Sequence, residues 1–318
     1  MDPRRLRVAW MLGLVLMLFG PMVSGSLGQS PGPSGGEGQH FHPRPTRSTP
    51  QVVEETESAA GPKYRVADHT AVSPILTALL SFAQPNEHPL MPAIRWARRE
   101  LENVRRLEDY SAIMVKRERI NGQLSEEECA FVKIRHRPFS VYMYFLRPAS
   151  IQGQEVIWIE GANNGRMWAH GTGFKRIFGT VSLSPTSPIA MQNNRYPITE
   201  IGLVKLVERL IEVAERDAQY GECEVTYYPG AKINDRSCLC IQVTHPVPRR
   251  NFMFHIARVF IDEELSLPIR YESYDWPTEP GGPPLLQEQY TYLNLRINNG
   301  FTDLDFDIKN PQYGFVSR

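Results

Sequence analysis

Few residues in this chain have types and spacings that could do chemistry. Asp303, Asp305 and Asp307 alternate like the opening of a calcium loop, where carboxylates at every second position would surround a hard cation. Ile308 stands where such a loop needs glycine, and Gly314 where it needs a bidentate glutamate, so the three aspartates read as one solvated face of a strand. Gly171-Thr172-Gly173 is a fragment of a phosphate-cradling loop and reads as a hairpin bend. The eight histidines do not cluster. His170, His245 and His255 sit in strand-like runs with no partner at metal-ligand spacing, and Glu118, Glu155 and Glu160 form no acid–base pair that spacing places. The Gly-x-Ser-x-Gly spacing occurs only inside a Gly/Pro/Ser-rich stretch, at Gly28 to Gly32 and Gly32 to Gly36, where no strand-like run leads into it and so no nucleophile elbow is read. A His-Glu-x-x-His helix and a P-loop are missing from the sequence. The expectation is a protein without catalytic residues, metal or cofactor.

The four cysteines speak to redox state. In an oxidising compartment they permit two disulfides. Cys238 and Cys240 are two residues apart on one strand face, and a chain folding back between Pro229 and Asp235 would bring Cys223 to Cys240. A Cys223–Cys240 bridge is therefore expected, with Cys129 and Cys238 unassigned. A Cys-x-Cys redox or metal site is the alternative, and no further ligand at suitable spacing accompanies it.

Composition narrows the classes further. The chain has 318 residues, with 35 basic against 35 acidic side chains and 42% hydrophobic residues. Zero net charge gives no electrostatic basis for nucleic-acid binding, and the apolar content is ample for a packed core. Arg4, Arg5 and Arg7 precede an apolar run from Val8 to Phe19, broken by Gly20-Pro21 and followed by small residues. That order predicts a cleaved secretory signal over residues 1–28 rather than a membrane anchor, because the run is shorter than the ~20 residues of a spanning helix. A stretch rich in Gly, Pro and Ser follows, and residues 29–71 are expected to form a disordered linker. A single folded domain is expected over 72–318, in the periplasm or cell envelope.

Within that domain the hydrophobic period changes twice. Ser73-Pro74 opens a short helix through Phe82, and a second runs from about Pro92 to Glu108 with Ile94, Ala97, Leu101 and Val104 on one face. Strand-like alternation then takes over at Val141 to Phe145, Glu155 to Ile159, Val225 to Tyr228, Phe252 to Ile261, Ile269 to Tyr274 and Gln289 to Leu295. Asn121-Gly122, Asn164-Gly165, Pro229-Gly230 and Asn299-Gly300 supply turn signals, and short turns imply an antiparallel meander. One amphipathic helix, capped by Thr199, interrupts the strands and shows Ile201, Val204, Val207, Leu210, Ile211 and Ala214 on one face. Helices over a curved sheet close either on a dry core or on an apolar cleft, and periodicity does not separate the two.

Several stretches resemble a bacterial exported family catalogued as domain of unknown function 1571. They include Asp109-Tyr110, Val115 through Gly122, Arg195 through Gly202, Gly221 through Val225, Ile241 through Pro248 and Phe301 through Asp307. The resemblance covers roughly residues 88–314 and brings a domain without a reaction. The order of helix, meander, helix, meander is also similar to the outer-membrane lipoprotein carrier (LolA-like) fold, and Val259 through Arg270 resembles a strand–turn–strand common there. That likeness implies an α+β domain, a half-open barrel lidded by helices, with a cavity for acyl chains.

The combined expectation is an exported binding protein, a carrier or sensor of lipid or acylated protein. Val141, Met143, Phe145, Ile157 and Ile159 would line its cavity, and the helix from Ile201 to Ala214 would be the lid. The alternatives are an envelope interaction protein with a filled core and a hydrolase whose site is scattered through the sequence.

Overall fold

The structure, a computed structural model, describes residues 64–67 and 70–315. The expected signal segment and most of the expected linker lie outside them. Within the span expected as linker, Tyr64–Val66 forms a strand, β1. Its partner is distant in sequence: β1 pairs with Val225 to Tyr227, Tyr64 meets Tyr227 edge-on at 5.3 Å, and Val66 joins the apolar cluster beneath.

Thirteen strands make one sheet among the described residues. The first meander runs through β2 (Asp109–Ile120), β3 (Gln123–Leu124), β4 (Glu128–His136), β5 (Phe139–Arg147), β6 (Glu155–Ile159), β7 (Met167–His170) and β8 (Thr180–Leu183). The second runs through β9 (Glu224–Ile233), β10 (Arg236–Thr244), β11 (Ile256–Asp262), β12 (Pro268–Asp275) and β13 (Leu285–Ile297). Across the sheet the order is β1-β9-β10-β11-β12-β13-β2-β4-β5-β6-β7-β8, with β3 paired to β2. Only β1 runs parallel to its neighbour, and β1 and β8 stand at opposite edges, so the sheet is open. The last strand returns to the first long one: β13 pairs β2, which welds the two meanders along one seam.

Three helices cover one face of this sheet. Helix α1 (Pro74–Leu80) begins with proline at its first turn, and the Ser73 hydroxyl accepts from the Leu76 N–H at 3.0 Å. Helix α2 (Met91–Arg106) buries Ile94, Leu101 and Val104. A short α3 (Pro188–Met191) precedes α4 (Leu203–Asp217), which buries Leu203, Val207 and Ile211. One core cluster joins α2 and α4 to Tyr110, Met114, Val132, Ile134 and Val141. A second joins α1 and the start of α2 to Val225, Tyr227, Leu239 and Ile241.

The opposite face is covered by the chain's last described segment. Phe306, 1% exposed, packs on Tyr142 and Ile157, and the Tyr313 ring stacks on Tyr142 with centroids 4.1 Å apart. Asp303–Phe306 is a 3-10 turn rather than a strand, which corrects the reading of the three aspartates as one solvated face. Asp303 pairs with Arg135 and Asp305 with Lys133, each at 2.7 Å, while Asp307 accepts from the Lys309 N–H. The carboxylates fasten this segment to β4.

Two local signals mislead. Pro229-Gly230 lies inside β9, and the hairpin turns at Asn234-Asp235, both in the left-handed region. Thr199 caps no helix, because Ile198–Glu200 is a separate 3-10 turn and α4 begins only after Gly202.

Candidate functional site

Strand parity decides what faces the helices. Met143 stands opposite Val132 on β4 and Val156 on β6, while Tyr142 stands opposite Ile157. Because side chains alternate, Met143, Phe145 and Val156 point to the helical side, and Tyr142 and Ile157 to the other. Ile157 and Ile159 therefore do not line the space under the helices; they pack with Phe306 and the segment around it. Val141 shares Met143's face but is sealed into the core with Leu203 and Val207.

Between α2, α4 and the sheet lies a cavity of about 890 Å³. Met114, Met143, Phe145 and Val156 line it from the sheet, and Ile201, Val207, Leu210, Ile211 and Ala214 from the roof. Val204 points instead to a smaller recess of about 320 Å³ beside Ile134 and Phe139. Sequence periodicity placed Leu206 and Val213 outside the apolar stripe, yet both also line the cavity. A roof that wide needs more than one stripe of the helix.

The roof is set at its start by Gly202, whose φ of 110° suits glycine. The hydroxyl of Tyr110, a fully buried residue of β2, accepts from the Leu203 N–H at 2.8 Å and so satisfies one of the helix's orphan donors. A Cβ at Gly202 would lie 2.8 Å from that hydroxyl oxygen. Tyr110 and Gly202 thus fix where α4 enters. At its other end, Asp217 approaches His245, with Oδ2 3.5 Å from Nε2 and both residues removed from solvent. The His245 ring stacks on Phe252 at 3.8 Å, and its Nδ1 is 3.0 Å from the Phe254 carbonyl oxygen.

The wall is not uniformly apolar. Lys116 lies between Glu118 at 3.2 Å and Glu128 at 3.3 Å, and donates also to the Asn194 side chain. Tyr290 donates to Glu118, and Arg195 pairs with Glu288 at 3.2 Å. Burial opposes the Lys116 charge, but Glu118 and Glu128 outweigh it and hold the ammonium above its ordinary value. Burial pushes Glu128 and Glu288 upward, against Lys116 and Arg195 respectively. Cross-strand register assembled this patch: Lys116 stands opposite Tyr290 and Glu128, and Glu118 opposite Glu288. Lys116 and Glu118 are neighbours on β2, but Asn194, Arg195, Glu288 and Tyr290 come from distant parts of the chain, so no spacing announced the patch.

The cysteines are free. Register overturns the expected bridge: Cys240 pairs with Tyr228, and the turn at 234–235 leaves Cys223 five positions before that partner, just ahead of β9. Five strand residues span roughly 16 Å, well beyond what a disulfide bridges. Among the described residues, no three His, Cys, Asp or Glu side chains are grouped to hold a metal ion.

With this geometry in place, comparison with known proteins is informative at the family level. A family described as protein of unknown function (DUF1571) matches residues 107–315. The chain belongs to the DUF1571 family. The matched span runs from the end of α2 to the segment that covers the outer face, so the cavity's sheet and its α4 roof are DUF1571 structure. No curated protein matches the chain. Solved structures similar to it include the lipoprotein LppX of Mycobacterium tuberculosis, at 12% identity over 68% of this chain and 99% of that one, with a TM-score of 0.37. A putative outer membrane lipoprotein-sorting protein domain from Vibrio parahaemolyticus is 12% identical over 66% and 94%, with a TM-score of 0.32. A DUF1329 family protein from Desulfovibrio piger is 14% identical over 69% and 98%, with a TM-score of 0.34.

Proposed function

We propose that this protein is an exported carrier or sensor that holds the acyl chain of a lipid or of an acylated protein, without performing a reaction on it. The observation that carries the reading is the cavity of about 890 Å³ under α2 and α4, within the range of small-molecule sites. The part of its sheet wall formed by Met114, Met143, Phe145 and Val156 is apolar, and the two methionines are adaptable in shape, which suits a flexible chain. Roughly eight buried methylenes at about 0.8 kcal/mol each would contribute about 6 kcal/mol, enough to offset much of the cost of immobilising a ligand. Export is supported by the signal-like order of basic, apolar and small residues over residues 1–28, and the Gly/Pro/Ser-rich segment would let the domain reach partners at the envelope.

Native mass spectrometry tests this on protein purified from its own envelope without detergent. The expected result is an added mass that organic extraction removes and that matches a lipid or acylated peptide. A clean apo mass, with no uptake of added acyl lipids, would sink the carrier reading and leave an interaction protein.

A further inference from the structure

The charges lining the cavity say which acyl ligands fit. Nine acidic side chains line it against four basic ones. Each of the four cations is already paired with a carboxylate of the same lining: Lys116 with Glu118 and Glu128, Arg195 with Glu288, Lys205 with Glu208, and Arg209 with Glu212. A phosphate or carboxylate entering the cavity finds no uncommitted cation. It would have to displace a carboxylate from Lys116 or Arg195, or sit beside three partly or fully buried glutamates where charges are poorly screened.

A second observation points the other way, to an acceptor that is welcome. Gln154 lines the same cavity and is 5% exposed, and its Nε2 is buried without a hydrogen-bond partner among the described residues. It immediately precedes β6, one alternation step from Val156 and so on the cavity side of the sheet. The Phe145 N–H donates to its backbone carbonyl at 2.9 Å, which anchors its main chain beside that aromatic ring. A buried amide donor left unpaired is costly, so the site calls for an uncharged oxygen acceptor.

Building on the carrier reading, we infer that the cavity selects acyl esters or amides with non-anionic heads: their carbonyl accepts from Gln154 while their chain lies along Met143 and Phe145. Free fatty acids and anionic phospholipids are excluded by the carboxylate-rich wall. An ester or amide brings no net charge to desolvate and offers the one group the wall lacks.

The test is displacement of a neutral fluorescent acyl probe from the full chain by three competitors of equal chain length: monooleoylglycerol, 1-octadecene, and oleate at a pH where it is ionised. Monooleoylglycerol is expected to bind at least tenfold more tightly than oleate. Gln154→Leu should weaken monooleoylglycerol about fivefold and leave 1-octadecene, which has no hydrogen-bond acceptor, unchanged. Oleate binding as tightly as the ester overturns the selectivity while leaving the carrier reading intact, as does Gln154→Leu without effect on the ester. If none of the three competes and the fluorescent probe itself fails to bind, the carrier reading falls and this inference with it. The wild-type comparison of ester with oleate decides the matter even if the variant does not fold.

Discussion

Asp217, the last residue of α4, faces His245 with Oδ2 3.5 Å from Nε2, both out of contact with solvent. Through this contact the end of the cavity roof meets the chain just beyond β10. Burial raises Asp217 above its ordinary value and lowers His245 below its own, and Arg216, His88 and His255 act on the pair from nearby. The two shifts have opposite consequences. A lowered histidine contributes stability above about pH 6.5 that is lost as pH falls below it, whereas a raised aspartate contributes stability below about pH 3.8 that is lost as pH rises above it. In the wild type the two slopes oppose each other between these values. Asp217→Asn should therefore make stability fall as pH drops below about 6.5, and His245→Gln should make it rise as pH drops toward about 3.8. Urea unfolding across that range checks both signs, and parallel slopes in the two variants would refute the coupling.

Met143 and Ile157 lie on neighbouring strands but on opposite faces of the sheet, and their variants should separate binding from stability. Met143→Glu places a carboxylate in the cavity and is expected to abolish any lipid adduct in native mass spectra while the protein stays folded. Ile157→Ala removes a side chain that is 0% exposed and should cost about 2–5 kcal/mol in denaturant unfolding, with the adduct retained.

Gly202→Ala should disturb the roof at its entrance. The new Cβ would meet the Tyr110 hydroxyl in a backbone conformation that L side chains rarely adopt. Tyr110→Phe keeps the ring but leaves the Leu203 N–H without its acceptor, at an expected cost of about 1–3 kcal/mol. Amide exchange across 203–207 should quicken in both variants, more than exchange in β9 and β10.

Lys116→Met is expected to be severely destabilising. It leaves Glu118 and Glu128 facing each other in a buried wall, and stranding buried charge in this way typically costs about 3–5 kcal/mol. Unfolding midpoints at neutral pH would show the loss, and lowering the pH should restore part of it by neutralising Glu128, which burial already holds above its ordinary value. Lys116→Met with Glu118→Gln and Glu128→Gln should recover stability even at neutral pH.

Burial pushes the thiols of Cys223, Cys238 and Cys240 up to about 12, which keeps them protonated at pH 8. A thiol-reactive disulfide reagent should therefore label these three only after denaturation, and should then find them without prior reduction. Intact mass before and after reduction checks the same point, since a disulfide would add two mass units on opening.

The outline of the fold was legible in the chain itself. Local periodicity is a property of consecutive residues, so Ile94, Leu101 and Val104 marked α2, and Val207 and Ile211 marked α4, before any coordinates. Asn121-Gly122 and Asn164-Gly165 likewise fixed their turns, since asparagine and glycine tolerate the left-handed backbone those turns need. Parity was not legible in Glu155–Ile159, where apolar residues occupy both faces, and only pairing Met143 with Val156 decided which side is the cavity. Nor was the register of β9 and β10, because Pro229-Gly230 reads as a turn locally but is held in the strand by its neighbours, which moved Cys223 away from Cys240. The wall of Lys116, Glu118, Glu128, Arg195 and Glu288 belongs wholly to the tertiary structure. The strand pairings and the loop before α4 gather it from distant parts of the chain, and only that gathering lets these charges satisfy one another away from water.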